Sequence, residues 1–277
     1  EMKFRICDRL GVDRSRSFIG TFHAFCVQAI RRFGDRIGYT PKFTIADDKD
    51  QKDLINQVAR RMGIKLEKGI ISLVAIAINK HREAIEEDDD DLLDALQGDK
   101  TLVNIANGYV EYLHDSNMLD FSSILTEMVR LLQEEKEVAD RINKRFDYVQ
   151  VDEVQDTNYA QFYIAEKITA GHNNLVMVGD TDQNIFGWRG SRIENIDDYL
   201  IRHPDCKVIH LHKNYRSTPE IVKVAGKLIE HNQKRLSDKF ETVNDSGTDV
   251  RCVQYYNQLD EADAISEKIR DLASNGV

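Results

Sequence analysis

The chain has 277 residues, a formal charge of −10 and 31% charged residues, enough length for one large domain or two ordinary ones. No run of 18 apolar residues and no charged, apolar, small-residue leader occurs, so membrane insertion and secretion are not expected and the cytoplasm is the expected compartment. Cys7, Cys26, Cys206 and Cys252 are far apart with no Cys-x-x-Cys pair, which argues against a zinc site or a disulfide framework.

The charge is unevenly spread. Glu86 to Asp91 form one acidic run, read as a solvated loop or helix start, because hard-cation loops space their ligands around a turning glycine. Residues 1–36 carry eight Lys/Arg against four Asp/Glu, and residues 202–239 carry nine against four. Two basic segments flank an acidic middle, so a polyanionic partner remains open despite the low pI.

In chain order, a short helical stretch leads to Phe18–Phe22, read as a strand, and then to a helix with apolar spacing at Phe25, Ala29, Ile30 and Phe33. Thr21 and His23 fall at that junction, where a helix start favours phosphate and where Thr21 can equally be an ordinary N-cap. From Asp47 to Arg145 helix follows helix. One is capped by Asp47 or Asp48 and stopped at Gly63; others cover Ile70–Ile78, Leu102–Leu113 and Ile124–Leu132. No strand is expected there.

Strand patterns return at 146–151, 174–178 and 207–211, with helices between them over 160–169 and 193–201. This alternation argues for a parallel sheet with crossover helices. Pro219 suits the first turn of a helix running to about His231, a loop follows Ser237, Val250–Tyr256 alternates like a strand, and 261–273 reads as a helix.

Three stretches carry chemistry. Tyr148 to Thr157 delivers Asp152 and Glu153 at the end of a strand, where open α/β sheets place their ligands; alone, the pair could equally be a helix cap. Gly179 to Ser191 opens a polar loop in which Gln183 can hydrogen-bond a phosphate or an attacking water. The same loop sets Phe186 and Trp188 beside Arg189, a combination suited to base stacking, with core packing the alternative for Trp188. Last, His212 to Glu220 puts Tyr215 and Arg216 between a strand and a helix, where a planar ring can stack on adenine and an arginine can reach a γ-phosphate; a packed surface tyrosine is the other reading.

In this order and spacing, the chain resembles the UvrD/Rep/PcrA family of superfamily 1A DNA helicases. Thr21-Phe22-His23-Ala24-Phe25 is similar to its motif Ib, Asp152 through Thr157 to motif II, Gly179 through Gly190 to motif III, and Asn214 through Thr218 to motif IV; Leu119-Asp120-Phe121 adds a smaller match. The resemblance implies an α/β fold: part of a RecA-like parallel-sheet P-loop NTPase domain (1A) over 1–46 and 146–206, an all-helical inserted subdomain (1B) over 47–145, and the start of a second RecA-like domain (2A) over 207–277. It implies ATP and Mg²⁺ as cofactors, with single-stranded and 3′-tailed duplex DNA as partners. Asp152 would hold the metal, Glu153 would polarise the attacking water, and Gln183 would sense the γ-phosphate. Tyr215 would stack on adenine and Arg216 would act as the finger. Thr21, His23, Phe186, Trp188 and Arg189 would meet DNA.

Phe186 stands where the family often has tyrosine, and Val154 where it often has an aromatic residue. The larger departure is that no Gly-x-x-x-x-Gly-Lys-Ser/Thr occurs in the 277 residues, nor do the family's motifs V and VI, while Glu1-Met2 is similar to the tail of its motif Ia. The expectation is a segment of a 3′–5′ helicase that is inactive by itself. The motor part of a RecB- or AddA-like helicase-nuclease, and a non-catalytic fragment that binds single-stranded DNA or a partner, are the alternatives.

Overall fold

The computed structural model describes residues 2–11, 17–84, 89–187, 190–232 and 241–276. The chain divides into two units, 1–206 and 207–277. Its architecture is helix-rich with short parallel ladders.

The first unit opens with α1 (Met2–Leu10) and α2 (Phe22–Phe33). The expected strand over 18–22 does not form. Thr21 begins α2 by accepting the Ala24 N–H at 3.2 Å, and Phe18 packs edge-on against Phe25, so the apolar run is used for packing and finds no ladder partner among the described residues.

A helical layer follows: α3 (Asp48–Arg61), α4 (Lys68–Ala84), α5 (Asp89–Ala95) and α6 (Lys100–Asp115). Asp47 caps α3 in a reciprocal box with Asp50, and Gly63, at φ +75°, turns the chain away at its end. Buried Ile55, Val74, Ile78, Ile105 and Tyr109 form the core between these helices. The layer is not purely helical. A two-residue strand β2 (Met118–Leu119) pairs in parallel with β1 (Thr44–Ile45), too short to leave a periodic signal in the sequence.

Next, α7 (Phe121–Glu134) runs through the middle of the unit against α2, α4 and α9 (Tyr159–Thr169), and α8 (Lys136–Asn143) packs beside it. Its N-cap Asp120 is buried and receives the Ser123 N–H (2.7 Å), the Tyr109 hydroxyl (2.7 Å) and the Ser122 hydroxyl (3.0 Å), with the Arg82 guanidinium at 3.4 Å. A buried carboxylate is tolerated only when satisfied and paired in this way. The pairing also ties α4 and α6 to the start of α7.

β3 (Val149–Val151) and β4 (Leu175–Met177) pair in parallel with Val149 opposite Leu175 and Val151 opposite Met177, and α9 is their crossover. The strands are shorter than the apolar runs that predicted them. One face packs Val151 against Phe162, Ala165 and Tyr199, the last from α10 (Glu194–Arg202), while Val176 on the other face is 51% exposed.

The second unit contains β5 (Lys213–Asn214), α11 (Pro219–Ile229, with Pro219 in its first turn), β6 (Glu241–Thr242) and α12 (Gln258–Ser274). The expected strands at 207–211 and 250–256 are irregular, and β6 lies where a loop was read. In the segment 207–211, Val208, Ile209 and Leu211 are exposed, and His210 stacks on His212 two residues on. That i,i+2 contact belongs to an extended backbone. What the segment lacks, among the described residues, is a strand to pair with.

Candidate nucleotide and nucleic-acid site

At the C-terminal end of β3 the backbone turns sharply. Asp152 and Glu153 are both exposed, and Glu153 sits in the left-handed region (φ 51°, ψ 44°), a conformation that costs a non-glycine residue roughly 1–3 kcal/mol. The ladder continues on both sides of it: Val178 N–H donates to Val151 O at 2.8 Å and Val154 N–H to Val178 O at 3.0 Å. Residues 152 and 153 are thereby pushed out as a bulge beyond the sheet.

Gln155 holds that bulge. Its side chain is 1% exposed; Nε2 donates to Glu153 Oε2 at 2.7 Å, Oε1 accepts the Asp180 N–H at 3.0 Å, and its carbonyl accepts Asn184 Nδ2 at 2.6 Å. Asp180 in turn accepts Gln183 Nε2 at 2.9 Å and the Asp182 N–H at 3.0 Å. A continuous chain of hydrogen bonds therefore runs Glu153–Gln155–Asp180–Gln183. Gly179 permits it, because a Cβ there would strike Gln155 Oε1 and lie 2.9 Å from Val154 Cγ1. Asp156 completes the acidic end; burial first, and the Glu153 charge second, push its carboxyl up.

The exposed pair can present carboxylate oxygens to a hard cation and accept a hydrogen bond from water, and exposed Gln183 can offer an amide to an oxyanion. Among the described residues no group of three or more His, Cys, Asp or Glu could by itself hold a metal.

Thr21 is exposed and caps α2, as the plainer of its two readings had it. His23 packs edge-to-face on Phe121 at 5.8 Å; burial lowers its pKa, opposed by a hydrogen bond to the Phe121 backbone. Phe121 itself is 48% exposed, an aromatic the sequence offered only as part of a minor match. Phe186 is partly buried in the loop after Gln183, while Trp188 and Arg189 lie outside the described residues.

In the second unit, Tyr215 is 71% exposed and Arg216 is exposed with no ion pair among the described residues. Asn214 shapes their loop: its Oδ1 accepts the Arg216 N–H at 2.9 Å and the Ser217 N–H at 2.8 Å. Behind it, Thr242 Oγ1 donates to Ser217 O at 2.6 Å.

The structure thus joins Glu153 to Gln183 within the first unit and exposes Tyr215 and Arg216 together in the second. Gln155, Asp180 and Asn184 fall within the stretches similar to motifs II and III but have no role in the sequence reading. Their signal is an amide or carboxylate one to three positions from Glu153 or Gln183.

Residues 1–203 match the UvrD/REP helicase N-terminal domain and residues 209–277 the UvrD-like helicase C-terminal domain. The chain is 32% identical over 277 residues to the ATP-dependent DNA helicase PcrA of Staphylococcus aureus, covering 100% of this chain and 38% of that protein. It is 32% identical over 270 residues to the PcrA of Staphylococcus epidermidis, covering 97% of this chain and 37% of that protein. The chain therefore spans well under half the length of these relatives. The domain matches, with the ordered stretches around Glu153, Gln183 and Arg216, identify the chain as a member of the UvrD/REP helicase family, with a partial RecA-like fold.

Proposed function

We propose that this chain is a segment of an ATP-dependent 3′–5′ DNA helicase that translocates on single-stranded DNA and unwinds 3′-tailed duplexes in the cytoplasm. Residues 1–46 and 146–206 belong to its domain 1A, 47–145 to 1B and 207–277 to 2A. The observation that carries the reading is the hydrogen-bonded run from Glu153 through Gln155 and Asp180 to Gln183, which links an exposed carboxylate pair to a loop bearing an amide and an aromatic residue.

Asp152 is the metal-holding residue in this reading, and the donor set suits Mg²⁺, which takes one or two carboxylates together with phosphate oxygens. When bound, ATP and Mg²⁺ supply the γ-phosphoryl group and the charge that balances it. Glu153 accepts a hydrogen bond from the attacking water and draws its proton, with Gln155 fixing the direction of the carboxylate. Gln183 contacts the γ-phosphate, Tyr215 stacks on adenine and Arg216 offsets developing negative charge as the finger. Phe186 and Trp188 stack on the bases, Arg189 supports the strand, and Thr21 and His23 lie along the backbone, with Phe121 extending the aromatic surface beside His23.

The 277 residues contain no phosphate-cradling glycine loop, so the segment alone is proposed to lack ATPase activity. The test uses both forms. In the whole protein, Glu153→Gln should keep nucleotide binding and lower turnover about 10²- to 10⁴-fold, the usual worth of a positioned base. The segment alone should show no DNA-stimulated hydrolysis. Normal turnover in the variant, or robust ATPase from the segment, would overturn the respective assignment.

A further inference from the structure

The carboxylate of Asp120, which starts α7, is reached by side chains from four helices. Within the first turn of α7, Oδ1 accepts the Ser123 N–H at 2.7 Å and the Ser122 hydroxyl at 3.0 Å. From the helical layer, Oδ2 accepts the Tyr109 hydroxyl of α6 at 2.7 Å and Gln51 Nε2 of α3 at 3.3 Å, and the Arg82 guanidinium of α4 stands 3.4 Å from Oδ1. Asn79 of α4 closes the set: its Oδ1 accepts Gln51 Nε2 at 2.9 Å and lies 3.2 Å from the Ser122 hydroxyl. Gln51, Tyr109, Asp120 and Ser122 are all buried.

A helix start needs far less. One side-chain oxygen on the N–H three residues on completes a cap, and serine or asparagine supplies it as well as aspartate does. Nor does stability account for the charge, since a buried ion pair returns little beyond its desolvation cost and is better attested as a device for fixing one arrangement. The bonds from α3, α4 and α6 act as struts: they give the carboxylate, and the backbone entering α7, a single orientation.

The next residue on that backbone is Phe121, which is half-exposed. It borders a small crevice with Asp48, Gln51 and Asn79, and its ring meets the His23 ring edge-to-face at 5.8 Å. His23 lies in the first turn of α2, which packs along α7. The ring pair is therefore an exposed aromatic surface set on one side by α2 and on the other by the struts on Asp120.

We propose that Asp120 is a positioning residue for the Phe121–His23 surface, through which α3, α4 and α6 set how that surface meets single-stranded DNA. The DNA half of this statement rests on the function proposed above; the positioning half does not.

Both halves are tested in the whole protein, by peptide-resolved modification of His23 with diethyl pyrocarbonate and by affinity for a labelled oligo-dT. Tyr109→Phe and Gln51→Leu each remove one strut at nearly constant volume. Asp120→Asn removes the charge and keeps the cap, and Phe121→Leu sets the full effect of losing the ring that covers His23. Ile105→Val, a core change on α6 with a stability cost like that of one lost hydrogen bond, controls for general loosening. The expected result is faster His23 modification in both strut variants and in Asp120→Asn, with oligonucleotide affinity about five-fold weaker, the low end of coupling between sites. Ile105→Val should match the wild type in both. Should Asp120→Asn fail to fold by circular dichroism, the strut variants carry the test, since each leaves the Arg82 pair in place. Wild-type His23 reactivity in the folded strut variants, or a rise that Ile105→Val shares, would overturn the positioning. A His23 uncovered with no change in oligonucleotide affinity would overturn the link to DNA. Faster His23 modification with no oligonucleotide binding by any form, wild type included, would uphold the positioning and refute the DNA reading.

Discussion

The buried amide of Gln155 donates to Glu153 Oε2 at 2.7 Å, and that bond holds an exposed glutamate in a left-handed backbone conformation. The two halves of the Gln155 side chain serve different strands: nitrogen on the Glu153 side, oxygen on the Asp180 side. Gln155→Ala removes both and strands the Asp180 N–H, an expected cost of about 1–3 kcal/mol in urea unfolding. Gln155→Glu keeps an acceptor for Asp180 but adds a charge beside Glu153 and Asp156, so it should recover little. In the whole protein both changes should lower kcat more than they raise KM, because the bond orients a group and does not bind nucleotide itself. A variant with unaltered kcat would remove Gln155 from the proposed mechanism.

Gly179→Ala tests the same junction through sterics. The added methyl would strike Gln155 Oε1 and stand 2.9 Å from Val154 Cγ1 and 3.2 Å from the Val154 nitrogen. Two of these neighbours belong to Val154, which is held in the ladder by its bond to Val178, so relief must come from Gln155. We expect a loss of about 1–3 kcal/mol, as for other overpacked sites, and a turnover defect in the whole protein like that of Gln155→Ala. Thermal melts unchanged from wild type would show that the junction yields freely.

Helices and the parallel pair β3–β4 are legible in the sequence and the two-residue ladders are not, for a physical reason. Asp47 and Pro219 announce helix starts through contacts made within a few residues, and the apolar spacing of 102–113 and 124–132 is itself the buried face of α6 and α7. A strand exists only with a partner. The apolar segments 18–22, 207–211 and 250–256 resemble strands in composition but find none among the described residues, whereas Thr44–Ile45 and Glu241–Thr242 pair without any alternation to betray them. For the site, Asp152, Glu153 and Gln183 stand out through residue type beside a strand. Gln155 does not, because its role depends on the left-handed turn at Glu153, which no local pattern encodes.

Asp120 sets an acid limit on stability. Burial pushes its carboxyl up, but the Arg82 guanidinium, the Ser123 hydroxyl and N–H and the Tyr109 hydroxyl outweigh burial and hold it below the usual range. A depressed folded value means the unfolded chain takes up the proton first. The stabilisation is therefore complete above about pH 4, the ordinary aspartate value, and is lost as pH falls from there through the folded value. Asp120→Asn should cost about 3 kcal/mol at neutral pH by leaving Arg82 unpaired, and should flatten the stability profile below pH 4. Urea midpoints from pH 6 down to 3 for both proteins check this. Parallel profiles would assign the acid loss to other carboxylates.

In the second unit, Asn214 does for Arg216 what Gln155 does for Glu153. Its Oδ1 takes the N–H groups of Arg216 and Ser217, closing a turn that fixes the backbone from which the Arg216 side chain extends. The arginine makes no ion pair among the described residues, and this turn, with Thr242 behind it, sets the backbone from which it extends. In the whole protein Arg216→Lys should lower ATP turnover by about 10³-fold or more, because an ammonium cannot reproduce the planar fork of a finger. Asn214→Ala should give a smaller loss, on the order of ten-fold, corresponding to about 1.4 kcal/mol of lost positioning. Asn214→Asp retains the acceptor oxygen and should restore most of that loss. The double variant Asn214→Ala with Arg216→Lys should be no slower than Arg216→Lys alone, since Asn214 acts only through the arginine. Additive losses would mean that Asn214 acts on turnover by a route separate from Arg216.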